Sequence, residues 1–370
     1  MKSSINIVIV AGARPNFMKI APIIHAIYDN NNKKNSVKIK YRLVHTGQHF
    51  DDNMSQNFFR ELKIPSPDIN LNCGGVNQAE LTAKIIIEFQ NYLSSKSPDL
   101  VIVVGDVTST MACTIVARKL KFKVAHVEAG IRSYDWKMPE EINRVVTDSI
   151  SNFFFTTTIS AGNNLINSGV NSNDIFFVGN TMIDSLKSNI NKLKQPLFWD
   201  KENISKNQYV VLTLHRPSNV DQQNLFEKIL KCIIDNSLDY KIIFPVHPRT
   251  KKILDLTDIK SKNLVLVNPL SYLEFNYLVK NCKAVITDSG GITEEATYMK
   301  IPCITIRENT ERPETVEIGT NILVGNNLEK LAENMRLIFN DKWKKSSIPS
   351  LWDGKTSTRI IKKIIDLKNE

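Results

Sequence analysis

Cysteine is scarce in this 370-residue chain, and acidic charge is in deficit. The five cysteines, Cys73, Cys113, Cys232, Cys282 and Cys303, are odd in number and lack paired metal-ligand spacing. That argues against both a disulfide framework and a zinc module. All but Cys73 fall in apolar helical or strand patterns, so buried free thiols are expected, which suits a reducing cytoplasmic setting. No apolar run is long enough to cross a bilayer, and INIVIV near the start runs straight into a glycine turn. No nucleic-acid-binding motif occurs, and the lysines are scattered among asparagines, as in NNKKN at 31–35. Neither a membrane nor a nucleic acid is therefore an expected partner. His45 and His49 bracket a glycine turn, but no third ligand type clusters with them, so no metal is expected.

What is present is ordinary in bulk and specific in detail. Hydrophobic residues make up 42% and charged residues 23%, as in globular proteins generally. The net charge of +10, from 48 Lys and Arg against 38 Asp and Glu, favours anionic partners such as a phosphorylated ligand. The length exceeds one comfortable core, which implies two domains.

Short apolar runs alternate with helix-period segments, the pattern of parallel sheets covered on both faces. Strands are predicted at 5–10, 40–44, 100–104, 124–127, 153–155 and 175–178, then at 209–213, 240–245, 264–267, 284–287 and 303–306. Residues 187–207, rich in Asn, Lys and Ser with few periodic apolar positions, read as a linker. The expected division is 1–186 and 187–355, with a last helix, within 356–370, packing back on the first domain.

Chemistry concentrates at predicted strand ends. HVEAGIRSYDWKMPEEINRVVTD, from His126 to Asp148, holds Glu128, Glu140, Glu141, Arg132 and Arg144, and Asp106 ends the preceding strand. Carboxylates at neighbouring strand ends of an open α/β sheet sit where such sheets bind ligands and can exchange protons with them. Of the adjacent pair Glu140 and Glu141, the second is expected to face water. Arg14 and Lys19, in the glycine turn and first helical turn after the first strand, are placed to meet an anion. TLHRPSNVD sets His215 and Arg216 at a strand end, before a helix expected to be capped by Asn219 or Asp221. PVHPRT repeats the arrangement with His247 and Arg249. In TDSGGITEEA, Ser289, Gly290 and Gly291 open a helix, where backbone N–H groups and the helix dipole suit a diphosphate. Glu295, one turn on, can accept two hydroxyl hydrogen bonds from a ribose. Arg307 and Arg312 follow in a loop at the same edge.

Taken together, GARPNFMKIAPI, HTGQHFD, GDVTSTMA, HVEAGIRS, MPEEINR, LHRPSN, PVHPR, TDSGGITEEA and ERPETVEIGT resemble the non-hydrolysing UDP-N-acetylglucosamine 2-epimerase family, in family order over nearly the whole chain. The resemblance implies an α/β, glycosyltransferase-B-like fold, with two facing Rossmann-like lobes and the active site in the cleft between them. It implies an isomerase with no added cofactor and no metal, acting on a UDP-sugar in a homodimer. By resemblance Asp106, Glu128 and Glu140 are the acid/base group, and His215 assists at the leaving phosphate. Arg14, Ser289, Gly290, Gly291 and Arg312 hold the diphosphate, with Lys19 beside them, and Glu295 holds the ribose. Arg144 lies near the sugar, and Phe275 matches an apolar contact near the uracil. Sister enzymes that act on 2,3-diacetamido uronic acids or 6-deoxy amino sugars, and hydrolysing epimerases, are the alternatives.

Overall fold

The apolar runs form the strands of two parallel sheets, because Val and Ile suit a pleated surface buried on both faces. A computed structural model describes residues 4–34, 36–48, 59, 61–75 and 77–369, apart from the side chains of Arg14, Pro248, Arg249 and Asn369. His49 and Asp51 of the glycine-turn segment lie outside the described residues.

The first sheet contains β1 (Ser4–Ala11), β2 (Lys38–His45), β3 (Ile69–Asn70), β4 (Leu100–Val104), β5 (Val124–Ala129), β6 (Phe153–Thr156) and β7 (Ile175–Phe177). Their order is β3-β2-β1-β4-β5-β6-β7. The second sheet contains β8 (Tyr209–Thr213), β9 (Lys241–Pro245), β10 (Leu264–Val267), β11 (Ala284–Thr287), β12 (Cys303–Thr305) and β13 (Asn321–Leu323), in the order β10-β9-β8-β11-β12-β13. In each sheet the order reverses beside the first strand, between β1 and β4 and between β8 and β11. Ligands of doubly wound sheets bind beyond the strand ends at such a reversal. The topology therefore gathers the turns after β1, β4 and β5 in one place, and those after β8, β11 and β12 in another.

Two compact units result: Met1–Ser188 with Ser350–Glu370, and Asn189–Pro349. The last helix, Thr356–Asn369, packs on the helix Arg14–Asn31 of the first unit. The Asp184 carboxylate fixes its start by accepting hydrogen bonds from Thr356 N at 3.1 Å and Ser357 N at 2.7 Å. Among the described residues no helix is long and apolar enough to cross a membrane.

Several local expectations are corrected. The two units divide between Ser188 and Asn189, inside the 187–207 segment read as a linker, but most of that segment belongs to the second unit. It includes the helix Phe198–Lys201, whose Trp199 is buried edge-on against Tyr209 and Tyr277. One large aromatic anchors the segment, and a single anchor leaves no periodic pattern to read. Thr108, Ser109 and Thr110 are N-capping residue types and were expected to cap the helix they open, yet the helix Thr108–Lys119 has Val107 at its N-cap, with no side-chain cap. Its hydroxyls bond elsewhere: Thr110 Oγ donates to the Val104 carbonyl at 2.8 Å and Ser109 Oγ lies 2.7 Å from Thr46 Oγ. Neither Asn219 nor Asp221 holds an N-cap, since Arg216 and Gln222 occupy the two N-cap positions there and Asp221 is the C-cap of the helix Pro217–Val220. Cys73 is buried and Cys232 only half-buried, the reverse of their pattern-based ranking. The short strands β3 and β13 were too brief to stand out as apolar runs.

Because Asp184 satisfies two amide groups at the start of the last helix, Asp184→Ala is expected to destabilise the first unit by about 1–2 kcal/mol. Urea unfolding followed by circular dichroism measures the loss.

Candidate active site

The first strand end of interest is β5. Its register with β6 shifts between Val127 and Ala129, and Glu128 sits in that irregularity with φ +75°. A non-glycine residue in the left-handed region is strained, and such strain concentrates at functional positions. The bulge turns the Glu128 side chain to Lys19, whose Nζ lies 2.8 Å from Oε1. Lys19 reaches across Gly105, where an added Cβ would come within 2.9 Å of Nζ. Gly105 also has φ +67°, so its backbone favours glycine before Asp106. Lys19 was expected at a ligand anion; here it meets a carboxylate of its own chain.

A buried network fixes the same turns from beneath. His126 Nδ1 lies 2.7 Å from Asp148 Oδ1, and Nε2 lies 2.8 Å from the Gly105 carbonyl. Both partners are acceptors, so a ring carrying N–H on both nitrogens makes both bonds. Asp148 also accepts from Arg132 at 2.6 Å and from Gly130 N at 3.1 Å. Burial acts to raise the Asp148 carboxyl, but His126 and Arg132 outweigh it and hold it below the usual carboxylate range.

Asp106 is half-buried, and its carboxylate accepts from Arg144 Nη1 at 2.5 Å. Asn143 Nδ2 donates to its carbonyl at 2.8 Å. Both residues lie in the helix Pro139–Ile150, which begins with proline as expected. The facing of the adjacent acids is corrected: Glu141 is 1% exposed, whereas Glu140 is exposed. Glu141 Oε2 accepts from Arg144 Nη2 at 2.6 Å, Arg144 Nε at 2.9 Å and Ser133 N at 2.9 Å. Burial acts to raise the Glu141 carboxyl, and these donors overcome it and lower it. Arg144, expected near a sugar, is buried and spans two carboxylates. His45 packs edge-on against Phe17, and burial pushes its ring down to about 4.

In the second unit the ends of β8 and β11 meet. Asp288 is fully buried and its Oδ2 accepts from the backbone N–H groups of His215 and Arg216, each at 2.9 Å. Its Oδ1 lies 2.8 Å from His215 Nδ1, and the His215 side chain is 46% exposed. Asn219, rather than capping a helix, donates to Asp288 at 3.2 Å and to the Ile306 carbonyl at 3.1 Å. Burial acts to raise the Asp288 carboxyl, while the His215 ring and these N–H groups pull it below its ordinary value. Asp288 lies one residue past the strand predicted at 284–287 and carried no assigned role there; its pairing with His215 is what singles it out.

The helix Gly290–Tyr298 starts after Ser289, which serves as its N-cap without a side-chain cap bond. Beyond Gly291 a Cβ would meet nothing within 4 Å, so its backbone is open to close approach. Glu295 is buried and accepts from Asn276 Nδ2 at 3.3 Å. Arg312 Nε lies 3.0 Å from Glu294 Oε1, and Phe275 is half-buried against the Trp199 cluster. The side chain of Arg14 lies outside what is described. Among the described residues no three His, Cys, Asp or Glu side chains gather as a metal site.

The sequence profile of the UDP-N-acetylglucosamine 2-epimerase family matches residues 31–365. The chain is 44% identical to UDP-N-acetylglucosamine 2-epimerase of Methanocaldococcus jannaschii, over 96% of this chain and 97% of that protein. It is 34% identical to UDP-2,3-diacetamido-2,3-dideoxy-D-glucuronate 2-epimerase of Pseudomonas aeruginosa, over 89% of this chain and 91% of that one. The crystal structure of the Methanocaldococcus jannaschii UDP-GlcNAc 2-epimerase in complex with UDP-GlcNAc and UDP superposes with a TM-score of 0.87 at 42% identity, covering 97% of this chain and 99% of that one.

Removing Arg144 leaves Glu141 buried without its cation. Arg144→Met is therefore expected to cost about 3–5 kcal/mol, whereas Arg42→Met, which removes the exposed pair of Arg42 with Asp68, is expected to change stability little. Urea midpoints of the two variants make the comparison. Glu141, Asp148 and Asp288 titrate lower folded than unfolded, so their stabilisation is present above the ordinary carboxylate range and is lost as pH falls. The unfolding midpoint is expected to drop steadily below about pH 4, and less steeply in Asp148→Asn, as a pH series of thermal melts reads directly.

Proposed function

The chain belongs to the UDP-N-acetylglucosamine 2-epimerase family, and we propose that it interconverts UDP-N-acetylglucosamine and UDP-N-acetylmannosamine without net release of UDP. A carboxylate takes the C2 proton while the C1–O bond breaks, and UDP departs to leave a glycal. UDP oxygen then re-forms the bond at C1, and a proton enters C2 from the opposite face. Atoms and electrons balance, so no cofactor is consumed.

The observation that carries this reading is the acidic edge itself. Asp106 and Glu128 end adjacent strands, each paired with a cation, and Glu128 is held in a strained backbone. The C2 proton of an amino sugar is weakly acidic, so its removal needs a carboxylate fixed in place and a stabilised leaving group. Asp106, Glu128 and Glu140 act at C2. His215, with Nδ1 turned to Asp288, presents its other nitrogen to the departing diphosphate. Ser289, Gly290, Gly291, Arg14 and Arg312 hold that diphosphate, Glu295 the ribose, and Phe275 the uracil side. Lys19 and Arg144 serve through the carboxylates they pair with. A cytoplasmic homodimer supplying an amino sugar for surface polysaccharide fits this activity. The diacetamido uronate relative supports a second reading, in which the same edge epimerises a UDP-2,3-diacetamido uronic acid.

In heavy water, product sugar is expected to carry deuterium at C2 by proton NMR, with no stoichiometric free UDP in the phosphorus spectrum. Deuterium-free product excludes the elimination route, and stoichiometric UDP identifies a hydrolysing enzyme. Glu128→Gln and Glu140→Gln are each expected to lower turnover roughly 10²–10⁴-fold while UDP affinity by calorimetry stays near that of the parent.

A further inference from the structure

The start of the helix Gly290–Tyr298 is already faced by an anion that belongs to the chain. The loop after β12 brings the Glu311 carboxylate against Gly290 so closely that a Cβ there would lie 2.4 Å from Oε1. Arg307 Nη1 lies 2.8 Å from Oε2, and Arg216 Nη2 lies 3.9 Å from Oε1. Arg312 also bears on this carboxylate through its charge, while it pairs with Glu294 at 3.0 Å. These side chains come from the ends of β8 and β12 and flank the end of β11, because the strand order makes those three strands neighbours. Three guanidinium groups and a helix N-terminus thus converge on a carboxylate. The cost of burying Glu311 is overcome by Arg307, Arg216 and Arg312, which hold its carboxyl down to about 2.

This is the environment a diphosphate needs. We propose that Glu311 is an internal stand-in for the nucleotide's phosphate: it pairs with Arg307 and Arg216 in the unliganded chain, competes with the diphosphate for them, and so sets how tightly UDP is held and how fast it leaves. The inference rests on the reading that this turn binds UDP. A competing internal charge has a use in this reaction. UDP must be held while the glycal exists, yet the finished nucleotide sugar must depart. Against the two carboxylates Glu311 and Glu294, the three arginines leave one net positive charge; without Glu311 they leave two.

The test is UDP titration of the parent protein and of Glu311→Gln by calorimetry, with steady-state kinetics of both. Glu311→Gln is expected to bind UDP on the order of tenfold more tightly, the size set by one unit charge a few ångströms away in a partly solvated site. KM and kcat are both expected to fall, because product leaves more slowly. Inorganic pyrophosphate is expected to raise the melting temperature of the variant more than that of the parent. A parent protein that binds no UDP overturns the reading of the site. A parent that binds UDP, with a variant that binds equally or more weakly, overturns the role of Glu311 alone. Should Glu311→Gln not fold, Glu311→Asp keeps the charge but draws it back from Arg307; it too is expected to tighten UDP binding, and equal or weaker binding overturns the proposal.

Discussion

One buried guanidinium holds the acidic edge of the first unit together. Arg144 reaches Asp106 with one nitrogen and Glu141 with two others. Without it, two carboxylates would sit near each other in a partly desolvated turn, where like charges repel strongly. With it, the loop after β4 and the helix Pro139–Ile150 are tied to one point. Lys19 does the same for Glu128 from the other side. The pairing has a geometric consequence. A carboxylate paired with a buried cation keeps a fixed direction, at little further entropic cost.

The support beneath that edge is equally directional. His126 joins the Gly105 carbonyl to Asp148, and Asp148 gathers Arg132 and the Gly130 amide. The turns that carry Asp106 and Glu128 therefore share one buried anchor. Glycine at 105 and 130 answers the positive φ of both positions, and at 130 also the crowding, where a Cβ would lie 2.1 Å from the Ala161 carbonyl. The strain at Glu128 persists because its neighbours over-determine it.

The second unit uses a carboxylate where the first uses a cation. Asp288 collects two backbone amides, the Asn219 amide and the His215 ring, and so fixes which nitrogen of His215 turns outward. Glu311 collects arginines. Arg144 and Asp288, both fully buried, each hold a partner that keeps solvent access, Asp106 and His215.

Much of this was legible in the chain. Alternating Val- and Ile-rich runs predicted the strands, glycine turns marked their ends, and family motifs pointed to Asp106, Glu128, His215 and Ser289 to Gly291. Pattern failed where one contact, rather than a period, decides the outcome. Periodicity does not say that Glu141 rather than Glu140 turns inward, since both follow the same proline and it is the partners, the Ser133 amide of the preceding loop and Arg144 one turn on, that select between them. Trp199 anchors a stretch that reads as linker, and the hydroxyls of Ser109 and Thr110 bond to Thr46 and to the Val104 carbonyl instead of capping their helix. The sequence by itself determined the two doubly wound sheets and the strand ends where chemistry gathers, because periodicity and turn chemistry act over a few residues. Tertiary structure alone decided which charge meets which, because ion pairs such as Lys19 with Glu128 join residues far apart in the chain and are chosen by strand order.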